Sequence, residues 1–114
     1  MAFDNYQADR IRRILSEKKI TFLEKRMMGV LVFMANNKML CGIHIDKKSG
    51  DSLLMARVGE KIYKTNIGKK ECLPMDFTGK PSKTYIYITP NGFDLDSNLE
   101  FWIQLTLDYN LLIK

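Results

Sequence analysis

Cys41 and His44 are spaced C-x2-H, with Asp46 close by. Those residue types are what a metal half-site or a thiol–imidazole pair would use. His44 is the one histidine of the chain, and no G-x-S-x-G elbow is present, so any Ser-His-Asp or Cys-His arrangement must pass through it. Residues 39–46 read as a strand, and strand side chains alternate between faces. Positions 41 and 44 then point to opposite sides. His44 and Asp46 share a side, but two ligands without a third do not hold a zinc ion. The expectation is that Cys41 packs in the core and His44 lies toward solvent. The acids are scattered. Asp76, beside Phe77 and Thr78, is the best placed for acid–base work, and turn chemistry explains it more simply. No residue is expected to be catalytic, cofactor-binding or metal-ligating.

A second stretch with chemical potential is "PMDFTGKPSK", Pro74 to Lys83. A phosphate loop requires G-x-x-x-x-G-K-[ST] after a strand and before a helix. Pro74 stands where the first glycine should be, Pro81 stands where the magnesium-binding hydroxyl should be, and a strand follows. The stretch reads instead as a rigid connector in which Pro74 and Pro81 restrict the unfolded chain, Gly79 supplies an unusual φ and Phe77 pins the loop to the core.

A third possibility is nucleic-acid binding. Tyr85, Tyr87 and Phe33 could line one sheet face among Arg26, Lys80 and Lys83, and aromatics on a basic sheet stack bases. Arg12 and Arg13 on the first helix would add to it. The formal net charge is +5. Residues 1–83 hold 17 Lys and Arg against 9 Asp and Glu, and residues 84–114 hold one Lys against 4 acids. No dense basic run exists, so a solvated surface is the simpler account, and nucleic acid is the alternative rather than the favoured partner.

The elements that position these residues follow from pattern. Asp4 caps a helix over about residues 5–19, with Ala8, Ile11, Ile14 and Leu15 as its buried stripe. Arg10, Arg12, Arg13, Lys18 and Lys19 lie mostly off that stripe and are expected to be exposed. Residues 26–35 read as one strand. Asn36-Asn37 suits a tight hairpin turn, because Asn tolerates positive φ. In the return strand the odd positions Met39, Cys41, Ile43 and Ile45 form one face and Gly42, His44 and Asp46 the other. "KKSGD" is a polar turn, and residues 52–58 form a third strand. "GEKIYKTNIGKK" predicts a short helix ended by Gly68. In residues 83–89, Tyr85 and Tyr87 alternate with Ile86 and Ile88. A last helix opens near Asp96 or Ser97.

That last helix carries more apolar surface than one buried stripe needs. Leu99, Trp102, Ile103, Thr106 and Asn110 define one face, while Phe101, Leu105, Leu112 and Ile113 widen it. A one-sided helix needs a stripe about 100° wide. The excess points to deep burial, to another protein or to a second copy.

At 114 residues with 46% hydrophobic and 27% charged residues, the chain suits one globular domain with its own core. Two cysteines in no paired motif point to reduced thiols and a cytoplasmic setting. The longest apolar run, residues 27–35, is far short of the roughly 20 residues a membrane helix needs. The first residues carry Asp4 and Asp9 and no apolar run, which predicts no signal peptide. The expected class is α+β: a two-layer domain with helices packed on an antiparallel sheet, in the order α-β-β-β-α-β(-β)-α.

Four segments resemble the N-terminal domain of the TfoX/Sxy family of bacterial competence regulators. They are "EKRMMGVLVFMANNKMLCGI" (24–43), "LMARVG" (54–59), "PMDFTGKPSKTYIYI" (74–88) and "LEFWIQLTL" (99–107). The most specific is the loop formed by Pro74, Met75, Asp76, Phe77, Thr78, Gly79, Lys80 and Pro81. The resemblance implies an α-β-β-β-α-β-β-α domain similar to type III secretion chaperones, with no catalytic activity and no cofactor. It also implies that full-length members carry a second domain and act with the cyclic-AMP receptor protein. This chain stops at Lys114, so only the first domain is expected, and a transcriptional role does not simply carry over. Met28 stands where the family often has an aromatic, and "KKSGD" is a charged insertion. The expected function is a small regulatory module that binds another protein or itself. The residues singled out for interaction are Phe101, Leu105, Leu112, Arg12, Arg13, Lys80 and Lys83.

Overall fold

The computed structural model describes residues 3–27, 29–74 and 83–113. The elements are α1 (Asn5–Glu17), β1 (Leu23–Met27), β2 (Val30–Ala35), β3 (Lys38–Ile45), β4 (Ser52–Arg57), α2 (Glu60–Asn66), β5 (Cys72–Pro74), β6 (Tyr85–Ile88) and α3 (Asp96–Leu112), with a 3-10 turn at Pro90–Gly92 before α3. One six-stranded sheet runs β1-β2-β3-β4-β6-β5, and all its neighbouring pairs are antiparallel. α3 lies over β3 and β4, and α1 packs beside it. This is the two-layer α+β architecture the order of elements implied.

The main core lies between that helix layer and the sheet. Ala8, Ile11, Ile14 and Leu15 from α1 meet Leu99, Trp102 and Ile103 from α3 over Phe33, Ile43, Leu54 and Ile86. Asp4 caps α1 by accepting a hydrogen bond from the Tyr6 N–H at 2.9 Å. The helix ends at Glu17. Lys19 takes φ 60°, and the Lys19 and Ile20 N–H groups donate back to the Ser16 and Leu15 carbonyls, a Schellman arrangement formed without glycine.

Several expectations need correction. Residues 26–35 are two strands, β1 and β2, reversed at a turn where Gly29 has φ 82°. In β3 the strict alternation fails. Phe33 pairs with Cys41 but Met34 pairs with Met39, so Leu40 is a bulge. One extra residue moves Met39 to the far face and leaves Leu40, Cys41 and Ile43 together in the main core. α2 ends at Asn66 with Ile67 as its cap in ordinary helical geometry, so Gly68 does not terminate it. The residue before α3 is Leu95, and Asp96 lies inside the first turn. There the carboxylate suits the helix dipole and is free to bind α1.

The far side of the sheet has its own small cluster. Val30, Val32 and Met55 are buried there, with Met34, Met39, Tyr85 and Tyr87 packed against them. Gly42 sits on this side, and a Cβ there would stand 3.0 Å from Val30 Cγ1. It is therefore buried rather than outward-facing.

Candidate functional site

The structure separates Cys41 from His44. Cys41 is part of the main core, and burial pushes its thiol up to about 12. It is held as the thiol, not the nucleophilic thiolate. His44 is on the opposite side, partly buried, with its ring 5.2 Å from that of Tyr87. Burial lowers its pKa, and Asp46 pulls weakly the other way. His44 Nδ1 has no hydrogen-bond partner among the described residues. Asp46 accepts from the Ser49 hydroxyl at 2.9 Å and the Ser49 N–H at 3.2 Å, closing the polar turn. Among the described residues no three His, Cys, Asp or Glu side chains gather as metal ligands. Of the loop Pro74–Pro81 only Pro74, at the end of β5, is described. Asp76, Phe77, Gly79 and Lys80 lie outside the described residues.

The basic residues of α1 are engaged internally. Arg12 makes a two-pronged contact with Glu24, at 2.7 and 2.8 Å, and a 2.6 Å contact with Asp9. These hydrogen bonds hold the Arg12 guanidinium above its ordinary pKa and the Glu24 carboxyl below its own. Arg13 pairs with Asp96 at 3.1 Å and Glu17 at 3.7 Å. Arg10, expected to be exposed, is buried. Its guanidinium donates to the Phe93 and Asp94 carbonyls, Asp96 and Gln7. An arginine one position off the apolar stripe can turn inward when carbonyls from a distant segment meet it, and no local pattern signals that.

The base-stacking platform also comes apart. Phe33 is fully buried on the helix-covered side, opposite Tyr85 and Tyr87. Arg26 lies over the Phe3 ring, 5.3 Å from its centroid. Lys83 is exposed beside β6.

The last helix exposes apolar side chains on its outer face, set among Glu100, Gln104 and Asp108. Helical spacing places Phe101, Leu105, Asp108 and Leu112 along one line. The buried residues Leu99, Trp102, Ile103, Thr106 and Asn110 lie on the other side. Leu105 reaches the core edge. Phe101 is 46% exposed and Leu112 is 78% exposed, as is its neighbour Leu111. Phe101 is held edge-on to Trp102 at 5.1 Å, with the Lys69 ammonium over both rings at 5.5 and 5.6 Å. The ridge is therefore fixed at one end and open at the other.

The open end is anchored from below. Asn110 is buried, and its side-chain N–H donates to the Ala35 carbonyl at 3.1 Å. Its Oδ1 accepts from Asn36 Nδ2 at 2.9 Å. Lys38 Nζ donates to the Asn110 and Ile113 carbonyls, two groups the helix end leaves unpaired. The β2–β3 turn thus fixes the last turn of α3. Asn110 belonged to the buried face by spacing, but its clasp of the turn needed the fold. Beside this clasp, Lys19, Thr21, Leu107 and Leu111 help line a cleft of about 250 Å³.

Comparison of the chain with protein-family models, curated proteins and solved structures finds no match. The fold and surfaces alone define a two-layer α+β domain with an anchored C-terminal helix that exposes Phe101, Leu111 and Leu112 among polar side chains.

Proposed function

We propose that this protein is a small cytoplasmic, non-enzymatic module of the TfoX N-terminal type that works by binding a protein, another chain or a second copy of itself, in a regulatory role. One observation carries the reading: the outer side of α3 holds Phe101 and Leu112 exposed on a helix whose end is rigidly tied to the sheet. A rigid apolar ridge loses little freedom on binding, and fully burying a leucine or phenylalanine is worth about 1.5–3 kcal/mol. The separation of Cys41 from His44 supports a role without catalysis. A link to competence or transcription rests on the sequence resemblance alone. No described helix is long and apolar enough to cross a membrane.

Light scattering on a sizing column, then affinity capture of a partner with the tagged chain, tests it. The wild type should self-associate or retain a defined partner. Phe101→Glu with Leu112→Glu should lose that association at least tenfold while remaining folded. A wild type that is strictly monomeric and retains nothing would sink the reading. The nucleic-acid alternative gains no support from α1, because Arg12 and Arg13 are already paired.

A further inference from the structure

Arg57, in the "ARVG" stretch, differs from the arginines of α1. Arg10, Arg12 and Arg13 each meet a carboxylate. Arg57 is partly buried, yet no ion pair or hydrogen-bond acceptor is found for it among the described residues. Its Nε is shut off from solvent without a partner. A cation in such a place is costly unless an opposite charge meets it.

The surroundings hold the guanidinium in place. Its carbon lies 5.6 Å from the Tyr85 ring centroid and 5.7 Å from that of Tyr109. Arg57 and Tyr85 are register partners across β4 and β6. The Val58 and Gly59 N–H groups both donate to the Thr84 carbonyl, at 2.8 and 3.1 Å, and fix the end of that pairing. Gly59 has φ 88°, and a Cβ there would stand 2.5 Å from the Tyr109 ring. Only glycine lets Tyr109 close against this corner. The "ARVG" stretch thus supplies both the cation and the residue that allows the second ring to approach it. Two rings lie against the guanidinium, its Nε is closed off, and its two Nη groups are left as neighbouring donors suited to two oxygens.

We infer that Arg57, backed by Tyr85 and Tyr109, is a binding site for one oxyanion, a carboxylate or a phosphate group. The site differs from the α3 ridge in its residues: Arg57 and Tyr85 lie on β4 and β6, and Tyr109 borders the ridge without being one of its exposed apolar side chains. It therefore stands or falls separately from the function proposed above.

The test is NMR on the full ¹⁵N-labelled chain. The Arg57 Nε–H signal is assigned by its loss in Arg57→Gln. Sodium phosphate and sodium acetate are titrated in parallel with sodium chloride at matched ionic strength. The expected result is a saturable shift of the Arg57 signal and of the Val58, Gly59 and Tyr109 amides with phosphate or acetate, but not with chloride. Signals from Arg10, Arg12 and Arg13, already satisfied, should stay still. The tighter of the two anions identifies the source. Arg57→Lys keeps the charge but lacks the fork, and its affinity should fall at least fivefold. Melting gives a second readout. At ten times the dissociation constant the folded-to-unfolded ratio of the wild type should rise about elevenfold, and that of Arg57→Gln should not. A shift that chloride reproduces, or amide responses unchanged in a folded Arg57→Gln, would overturn the site and leave Arg57 a structural pin for α3.

Discussion

Replacing Arg10 with methionine should be among the most damaging single changes that leave the apolar core intact. The side chain is buried, and its guanidinium donates to the Phe93 carbonyl at 2.9 Å and the Asp94 carbonyl at 3.0 Å. A hydrogen bond from a charged donor is worth about 1.5–3 kcal/mol, so losing both removes roughly 3–6 kcal/mol. The Asp96 contact adds little, because that carboxylate is 66% exposed and exposed ion pairs contribute about 0–1 kcal/mol. The methionine chain, once buried, and the relieved desolvation of a cation return part of the loss. The net expectation is about 3 kcal/mol. With an unfolding entropy of ~2.1 cal/mol/K per residue, a 114-residue chain loses about 12 °C in Tm for ~3 kcal/mol. Arg13→Met is the control, because Arg13 touches the same Asp96 from the surface. It should change stability by no more than about 0.5 kcal/mol. Urea melts followed by circular dichroism read both. If Arg10→Met falls within about 1 kcal/mol of wild type, the assignment of Arg10 as the tie between α1 and the start of α3 is wrong.

Two other outcomes follow from buried groups. Asn110→Leu should lower stability by about 1–3 kcal/mol through the lost clasp on Ala35 and Asn36, and hydrogen exchange should speed up at the β2–β3 turn and the last turn of α3 before elsewhere. Burial raises the Cys41 thiol to about 12 and the Cys72 thiol to about 11. A raised pKa means that the folded chain holds its proton more tightly. The associated stability is complete below the ordinary thiol value of 9.0 and is lost as pH rises through these values. Neither thiol should react with a disulfide reagent at pH 8 until denaturant is added; fast reaction in the native state would contradict the placement of both.

What was legible in the sequence is what local pattern controls. Asp4 capped α1 as its side chain allows, and Ala8, Ile11, Ile14 and Leu15 formed the buried stripe. Asn36 and Asn37 took the positive φ the hairpin needs, at 55° and 63°. Tyr85 and Tyr87 alternated with the buried Ile86 and Ile88. What was hidden depends on distant partners. β1, "LEKRM", is an edge strand with all five residues exposed. It shows no period-2 signal, and its charges guard an open edge. The bulge at Leu40 exists only through pairing with β2. Arg10 turned inward toward carbonyls 83 and 84 residues away. Of the interaction residues, spacing alone aligned Phe101, Leu105 and Leu112. In the sequence Arg12 and Arg13 stand as available cations because their carboxylates, Glu24 and Asp96, lie on other elements.

The central claim is that the outer side of α3 is where this protein meets a partner. Site-specific photo-crosslinking tests it most directly. A benzophenone amino acid is placed singly at 101, at 112 and, as an exposed control on α1, at 6. Each full chain is irradiated in cells that produce it. The account expects one discrete cross-linked species from positions 101 and 112 and none from position 6. Cross-linking of equal strength at position 6, or none at 101 and 112 while each chain is folded, would contradict it.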